Sequence, residues 1–270
     1  MSRPSLDLPS AARTAPPTWR RVVQVMGLPV SLALRGRHAG GPTAEAAWAD
    51  ATASLREADR VFSTYRDDSF ISRLGRGELR LADCPPEVAE VLALGDKARR
   101  QSGGAFDVHR EGDDCQVQLD PSGVVKGWAV QRAAQHLLAL PETDVCLGGG
   151  GDLLCHLADP DAPTARPWNI GVEDPHQPGR LVATIPLARG AVATSSAAHR
   201  GQHIVDARTG RPPVSVASVT VTAADLVWAD IDATAAYALG RDALTWLRTR
   251  PGRSGVVVWS NGSVETFATR

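Results

Sequence analysis

Four short segments carry residues whose types and spacing suit chemistry. The first is Trp228-Ala229-Asp230-Ile231-Asp232-Ala233-Thr234. On a helix, Asp230 and Thr234 stand at i and i+4 and share a face. A carboxylate beside a hydroxyl is a hard oxygen pair of the kind Mg²⁺ prefers. The plainer alternative is an Asp that complements the positive end of a helix. The second segment is Gly148 to Asp152. Consecutive glycines expose backbone N–H groups that can cradle an anion, and a simple hairpin turn accounts for the same residues. Neither standard nucleotide fingerprint is present there. The third is Gly123-Val124-Val125-Lys126-Gly127, with a Lys at a strand-to-helix junction. A lysine at such a junction is a point charge suited to phosphate, or else a surface Lys at a turn. The fourth runs from Gln202 to Gly210, where His203 and Asp206 are spaced to act as base and orienter, or are polar groups at a strand end.

The pattern of apolar residues predicts the elements that must position these groups. Arg20 to Arg35 alternates as two strand segments, broken at Met26-Gly27-Leu28-Pro29 by a bulge or an edge. Thr43 to Tyr65 has helical spacing, with Thr43 as its N-cap. A second helix is predicted from Pro86 to Ser102, and a third from Lys126 to Leu140. Strands are expected at Gln116–Leu119, in two pieces over Val145–Leu157, and at Trp168–Val172, Leu181–Leu187 and Ala191–Thr194. Others are expected at His203–Val205, Val216–Thr222, Gly255–Trp259 and Val264–Ala268. Helices are predicted over Ala229–Leu239 and Ala243–Arg248. Strands and helices do not alternate strictly, so a doubly wound parallel sheet is excluded. The expected fold class is α+β, a single large domain with a mostly antiparallel sheet and flanking helices.

Composition narrows the class further. The chain has 270 residues, 43% hydrophobic and 22% charged, with a formal net charge of -1. Basic and acidic residues are interspersed, which argues against a nucleic-acid partner. The four cysteines, Cys84, Cys115, Cys146 and Cys155, lack C-x-x-C spacing. They are expected to be reduced, with Cys146 and Cys155 as small core residues. Residues 1–19 are rich in Pro, Ser and Ala and are expected to be a flexible arm ahead of a domain spanning 20–270. The lack of an apolar h-region or membrane-length apolar run predicts a cytoplasmic protein without membrane insertion.

Several segments, taken in order, resemble the FAD:protein FMN transferase family, the ApbE-like flavin transferases. Met26-Gly27 is similar to the family's first-strand Met-Gly. The run from Phe62 through Tyr65 to Arg73 resembles its S-x-Y-x-x-x-S-x-[IL] block. Gly103-Gly104-Ala105-Phe106-Asp107 resembles G-x-F-D, and Asp120 through Lys126-Gly127-Trp128-Ala129 resembles D-x-x-G-[IV]-x-K-G-[YW]-A. Gly150-Gly151-Asp152, Thr194-Ser195-Ser196, His203-Ile204-Val205-Asp206 with Thr209-Gly210-Arg211-Pro212, and Ala229-Asp230 through Thr234 complete the order. The resemblance covers nearly the whole chain after about Arg20.

The resemblance implies a flavin-transferase, T-fold-like architecture and Mg²⁺-dependent transfer of FMN from FAD to a Ser/Thr hydroxyl of an acceptor flavoprotein, with release of AMP. It implies that Asp230, Thr234 and a backbone carbonyl, that of Val125, hold Mg²⁺. FAD would be bound by Met26, Tyr65, Ala105, Phe106, Asp107, Lys126, Gly151 and Asp152. His203 would be the base toward the acceptor hydroxyl, supported by Asp206. The sequence departs from the pattern at Ala207, where Pro is usual, at Ser196, where Gly is usual, at His109, where Thr is common, and in the second carboxylate Asp232. The same residues admit an Mg²⁺-dependent FAD pyrophosphatase, or a flavin-binding protein without catalysis.

Overall fold

Apolar alternation decides which face each strand shows, and here it sorts one sheet between two cores. The computed structural model describes residues 17–111, 117–197 and 204–270. Its strands are β1 (Trp19–Val25), β2 (Leu28–Gly36), β3 (His109–Glu111), β4 (Val117–Leu119), β5 (Thr143–Gly149) and β6 (Asp152–His156). They continue with β7 (Trp168–Glu173), β8 (Leu181–Leu187), β9 (Arg189–Ser196), β10 (Val216–Ala223), β11 (Ser254–Trp259) and β12 (Val264–Ala268). The helices are α1 (Pro42–Phe62), α2 (Phe70–Gly75), α3 (Pro86–Gln101), α4 (Ser122–Leu138), α5 (Leu226–Leu239) and α6 (Ala243–Leu247).

Eight strands form one sheet in the order β1-β2-β5-β6-β9-β10-β11-β12. Every neighbouring pair runs antiparallel, as the strand-turn pattern predicts. Side chains along a strand point to opposite faces with period two. Leu32 and Leu34 of β2, Val145 and Leu147 of β5, and Ala191 and Ala193 of β9 accordingly enter the main core, which α1, α4 and α5 cover. The residues between them, Ala33, Cys146 and Val192, enter a second, smaller core with Cys155. The β7–β8 hairpin closes that core through Ile170, with Trp168, Ile185 and Leu187 at its margin.

Some expectations change. The break at Met26-Gly27 is not a bulge, and it lies in the hairpin that forms one edge of the sheet. It is a two-residue hairpin turn closed by the Val25–Leu28 pair. Met26 at φ 56 and Gly27 at φ 69 both take the left-handed conformation that a tight hairpin turn demands. Thr43 lies inside α1 rather than at its cap, which is Gly41. The α4 and α5 helices begin at Ser122 and Leu226, about a turn earlier than predicted. No strand forms at Ile204 and Val205, and among the described residues that follow, Asp206 makes an isolated bridge with Arg211; His203 lies outside the described residues. The short helix α2, capped by the Ser69 hydroxyl accepting from Ser72 N–H, has too few turns to show a period. Among the described residues, no helix is long and apolar enough to cross a membrane.

Candidate functional site

Two helices approach unusually closely where the site is built. Gly127 of α4 meets the first turns of α5: a Cβ there would lie 2.9 Å from the Leu226 carbonyl oxygen and 3.0 Å from Asp230 Cβ. Only glycine permits this contact without moving backbone. Gly127→Ala is therefore expected to force the helices apart and lower stability by about 1–3 kcal/mol. Urea unfolding reads this directly, and an unchanged midpoint would show that the contact is not tight.

That approach seats three charged side chains together in the protein interior. Lys126 Nζ lies 2.5 Å from Asp152 Oδ2 and 3.2 Å from Asp230 Oδ1. Asp152 and Asp230 are 0% and 1% exposed. The Gly127 N–H donates to Asp230 Oδ2 at 3.0 Å, and the Thr194 N–H donates to Asp152 Oδ1 at 3.0 Å. Burial alone pulls the Lys126 ammonium below its usual value, but Asp230 and Asp152 more than reverse this and hold it above. Burial pushes the Asp230 carboxyl up to about 7, with Lys126 opposing and Asp152 reinforcing the shift. Two carboxylates around one ammonium make a centre with an excess of negative charge, which favours a further cation.

The neighbouring groups are oxygen donors. Thr234 Oγ1 lies one helical turn beyond Asp230 and is 3.1 Å from Ser195 Oγ of β9. The alternation of β9 turns Ser195 toward α5, while Thr194 faces the other way and meets Thr220 Oγ1 at 2.9 Å. Val125 lies inside α4, beside Lys126, with its side chain buried. Among the described residues, no group of three or more His, Cys, Asp or Glu side chains could hold a metal ion. The buried Asp230 carboxylate with the Thr234 and Ser195 hydroxyls is a set of hard oxygen donors, which suits a hard cation such as Mg²⁺ and not a soft one. The reading of Asp230 as a helix-end charge does not apply. Asp225 caps α5 by accepting from Trp228 N–H, and Gln131 Oε1 accepts from Leu226 and Val227 N–H.

Phe106 joins this centre to a second loop. A Cβ at Gly123 would fall 2.9 Å from Phe106 Cε2 and 3.8 Å from Thr234 Cγ2, so the ring lies against the start of α4. The Ala105 carbonyl accepts from the Ala207 N–H at 3.1 Å, which ties the Ala105-Phe106-Asp107 turn to the Asp206 loop. Asp107 Oδ1 accepts from the His109 N–H. Asp206 is bound by Arg208, whose Nη2 lies 2.6 Å from Oδ2, and this holds the Asp206 carboxyl below the usual carboxylate range. His203 lies outside the described residues. Beyond Thr234 on the same face of α5, Tyr237 walls an open cavity of about 430 Å³ with Ala197, Pro213 and Val214.

Gly150 and Gly151 form the two-residue turn of the β5–β6 hairpin, both at positive φ, and this turn delivers Asp152 to the cluster. The Gly150 N–H donates to the Pro29 carbonyl, placing the Met26-Gly27 turn beside it. Tyr65 stands past the end of α1 and is 98% exposed. Asp232 faces away from Asp230 and is paired with Arg250 and Arg253 at 3.0 and 2.7 Å. In the sequence Ser195 stands only as part of a motif and is given no role, and Gln131 is not singled out. The alternation of β9 held the signal for Ser195, whereas Gln131 is ninety-five residues from the N–H group it caps.

The ApbE family model matches residues 26–112 and 109–258. A protein of Rhodobacter capsulatus named FAD:protein FMN transferase is 29% identical over 203 residues, covering 70% of this chain and 38% of that protein. One of the same name from Treponema pallidum is 28% identical over 168 residues, 56% of this chain and 46% of that protein. The matched stretches thus span less than half of these relatives. The fold is similar to the crystal structure of the ApbE protein of Thermotoga maritima, with a TM-score of 0.78, 22% identity and coverage of 92% and 96% of the two chains. It is also similar to the flavin transferase ApbE of Vibrio cholerae, with a TM-score of 0.75, 20% identity and coverage of 94% and 98%.

Proposed function

This chain belongs to the ApbE family, and on that premise we propose that it transfers FMN from FAD to a Ser or Thr hydroxyl of an acceptor protein and releases AMP. The observation that carries the reading is the buried Lys126 ammonium held between Asp152 and Asp230, with the Thr234 and Ser195 hydroxyls alongside. Phosphoryl transfer asks little covalent chemistry of a protein. It asks for positioning and for neutralised charge on the transferred group.

Lys126 takes the negative oxygens of the pyrophosphate, its charge secured by two carboxylates. Phe106 and the Ala105-Phe106-Asp107 turn, with Met26, Tyr65, Gly151 and Asp152, shape the flavin nucleotide site. Asp230 and Thr234, with Ser195 and the Val125 carbonyl as further oxygen donors, would hold Mg²⁺, which when bound supplies Lewis-acid neutralisation of the phosphates. His203 takes the proton of the acceptor hydroxyl. Asp206, locked to Arg208, orients the loop that follows His203. The partner is an acceptor flavoprotein.

The test is FAD turnover by the purified chain with Mg²⁺, with and without a domain bearing a candidate acceptor hydroxyl. The expected result is AMP release matched by an FMN mass on the acceptor. AMP with free FMN and no labelled acceptor would make the protein a pyrophosphatase. FAD binding without AMP under any divalent cation would leave a flavin carrier.

A further inference from the structure

Outside the site, the second core holds two nucleophilic groups in contact. Cys146 of β5 and Cys155 of β6 are directly opposite each other in the antiparallel register. Their sulfurs are 3.6 Å apart, and both are free thiols. We propose that Cys146 and Cys155 form a peroxide-oxidisable dithiol that closes into a disulfide across the β5–β6 hairpin.

Geometry carries the inference. Facing residues of an antiparallel pair have Cα atoms about 4.5–5.5 Å apart, within the range a disulfide spans. The sulfurs need to close by only about 1.5 Å to reach bonding distance, a movement that side-chain rotation supplies without shifting either strand. Their surroundings, Ala33, Ile170 and Val192, are small or aliphatic and offer no competing nucleophile.

The order of reaction follows from exposure. Cys146 is 9% exposed and Cys155 is 1% exposed, so peroxide reaches Cys146 first. The hydrogen bond from Cys155 lowers the Cys146 thiol despite burial, and Arg20 and Arg35 add to this. The Cys146 thiolate attacks one peroxide oxygen: an S–O bond forms, the O–O bond breaks, and the departing oxygen leaves as water after taking a proton. Cys155 sulfur then attacks Cys146 sulfur: the S–S bond forms, the S–O bond breaks, and the Cys155 proton leaves with the second water. Two thiols are oxidised and one peroxide is reduced to two waters. The bridge staples the hairpin whose turn carries Asp152, on the face of the sheet opposite the Lys126 centre.

The experiment treats the full chain with hydrogen peroxide, quenches it, unfolds it and alkylates the remaining thiols before mass mapping. The expected product is lighter by about two hydrogens, with a Cys146–Cys155 linked peptide and neither residue alkylated. Its thermal midpoint is expected to rise by several degrees and to return with dithiothreitol. A Cys146→Ala/Cys155→Ala chain is expected to show no peroxide-dependent rise. Full alkylation of both residues after peroxide, or linkage of either to Cys84 or Cys115 instead, would overturn the proposal, and the mapping of the unmutated chain decides this whether or not the variant folds.

Discussion

Asp230→Asn is expected to lower Mg²⁺-dependent AMP release from FAD by about 10²–10³-fold, the scale of losing one group that offsets charge in a transition state. The substitution keeps the shape of the side chain. Its amide oxygen can still accept from the Gly127 N–H that Asp230 now binds at 3.0 Å. Lys126 retains Asp152 at 2.5 Å, so the ammonium is not left alone in the interior. What is lost is the anionic oxygen that a hard cation requires. Burial already raises the Asp230 carboxyl to about 7, which marks its ionised form as costly to bury. Removing that charge is therefore expected to leave the thermal midpoint nearly unchanged. Kinetics over a Mg²⁺ titration, with thermal unfolding of the same sample, separates the two effects. Wild-type turnover with the wild-type metal response would sink the assignment of Asp230.

Asp232→Ala is expected to do the reverse. Asp232 is fully buried and accepts from Arg250 Nε at 3.1 Å and Arg253 Nε at 2.7 Å. Both arginine side chains are largely buried, at 12% and 14% exposure. Truncating the carboxylate leaves two guanidinium groups facing each other without a counter-ion, a loss of about 3–5 kcal/mol when a buried pair is broken. The contact also secures the segment between α6 and β11, because the Arg253 N–H donates to Thr269 Oγ1 and the Thr269 N–H to the Arg253 carbonyl. Denaturant unfolding is expected to show that loss, while turnover per folded molecule keeps its Mg²⁺ dependence. A change below about 1 kcal/mol would place the pair among the weak surface ion pairs. Loss of metal response in the folded protein would instead join Asp232 to the Asp230 centre.

The contrast between Asp230 and Asp232 shows what the chain by itself determined. Local pattern was enough for the strands of β2, β5 and β9, because alternation writes their two faces into neighbouring residues. It was also enough to put Asp230 and Thr234 on one helix face, because helical spacing is a short-range property. The same rule points Asp232 elsewhere, and only its neighbours show where: Arg250 and Arg253 come from the segment between α6 and β11. The break at Met26 was placed correctly but its kind was not, because a two-residue turn depends on strand pairing, and the start of α5 was misplaced because its end is capped in part by Gln131, outside the segment. Asp225 and Gln131 cap α5 together, yet the chain separates them by most of the site.

The Lys126 centre belongs to the tertiary structure. Three segments supply its charges, and their meeting depends on Gly127 admitting α5 and on a glycine turn returning Asp152 beneath α4. Spacing along a chain does not encode such distances, because they follow from how helices seat on a sheet. The Cys146–Cys155 contact is likewise a product of strand register, invisible in cysteine spacing. Residue types fixed which chemistry was available; packing decided which of those residues share a low-dielectric interior, where charge and reactivity are set.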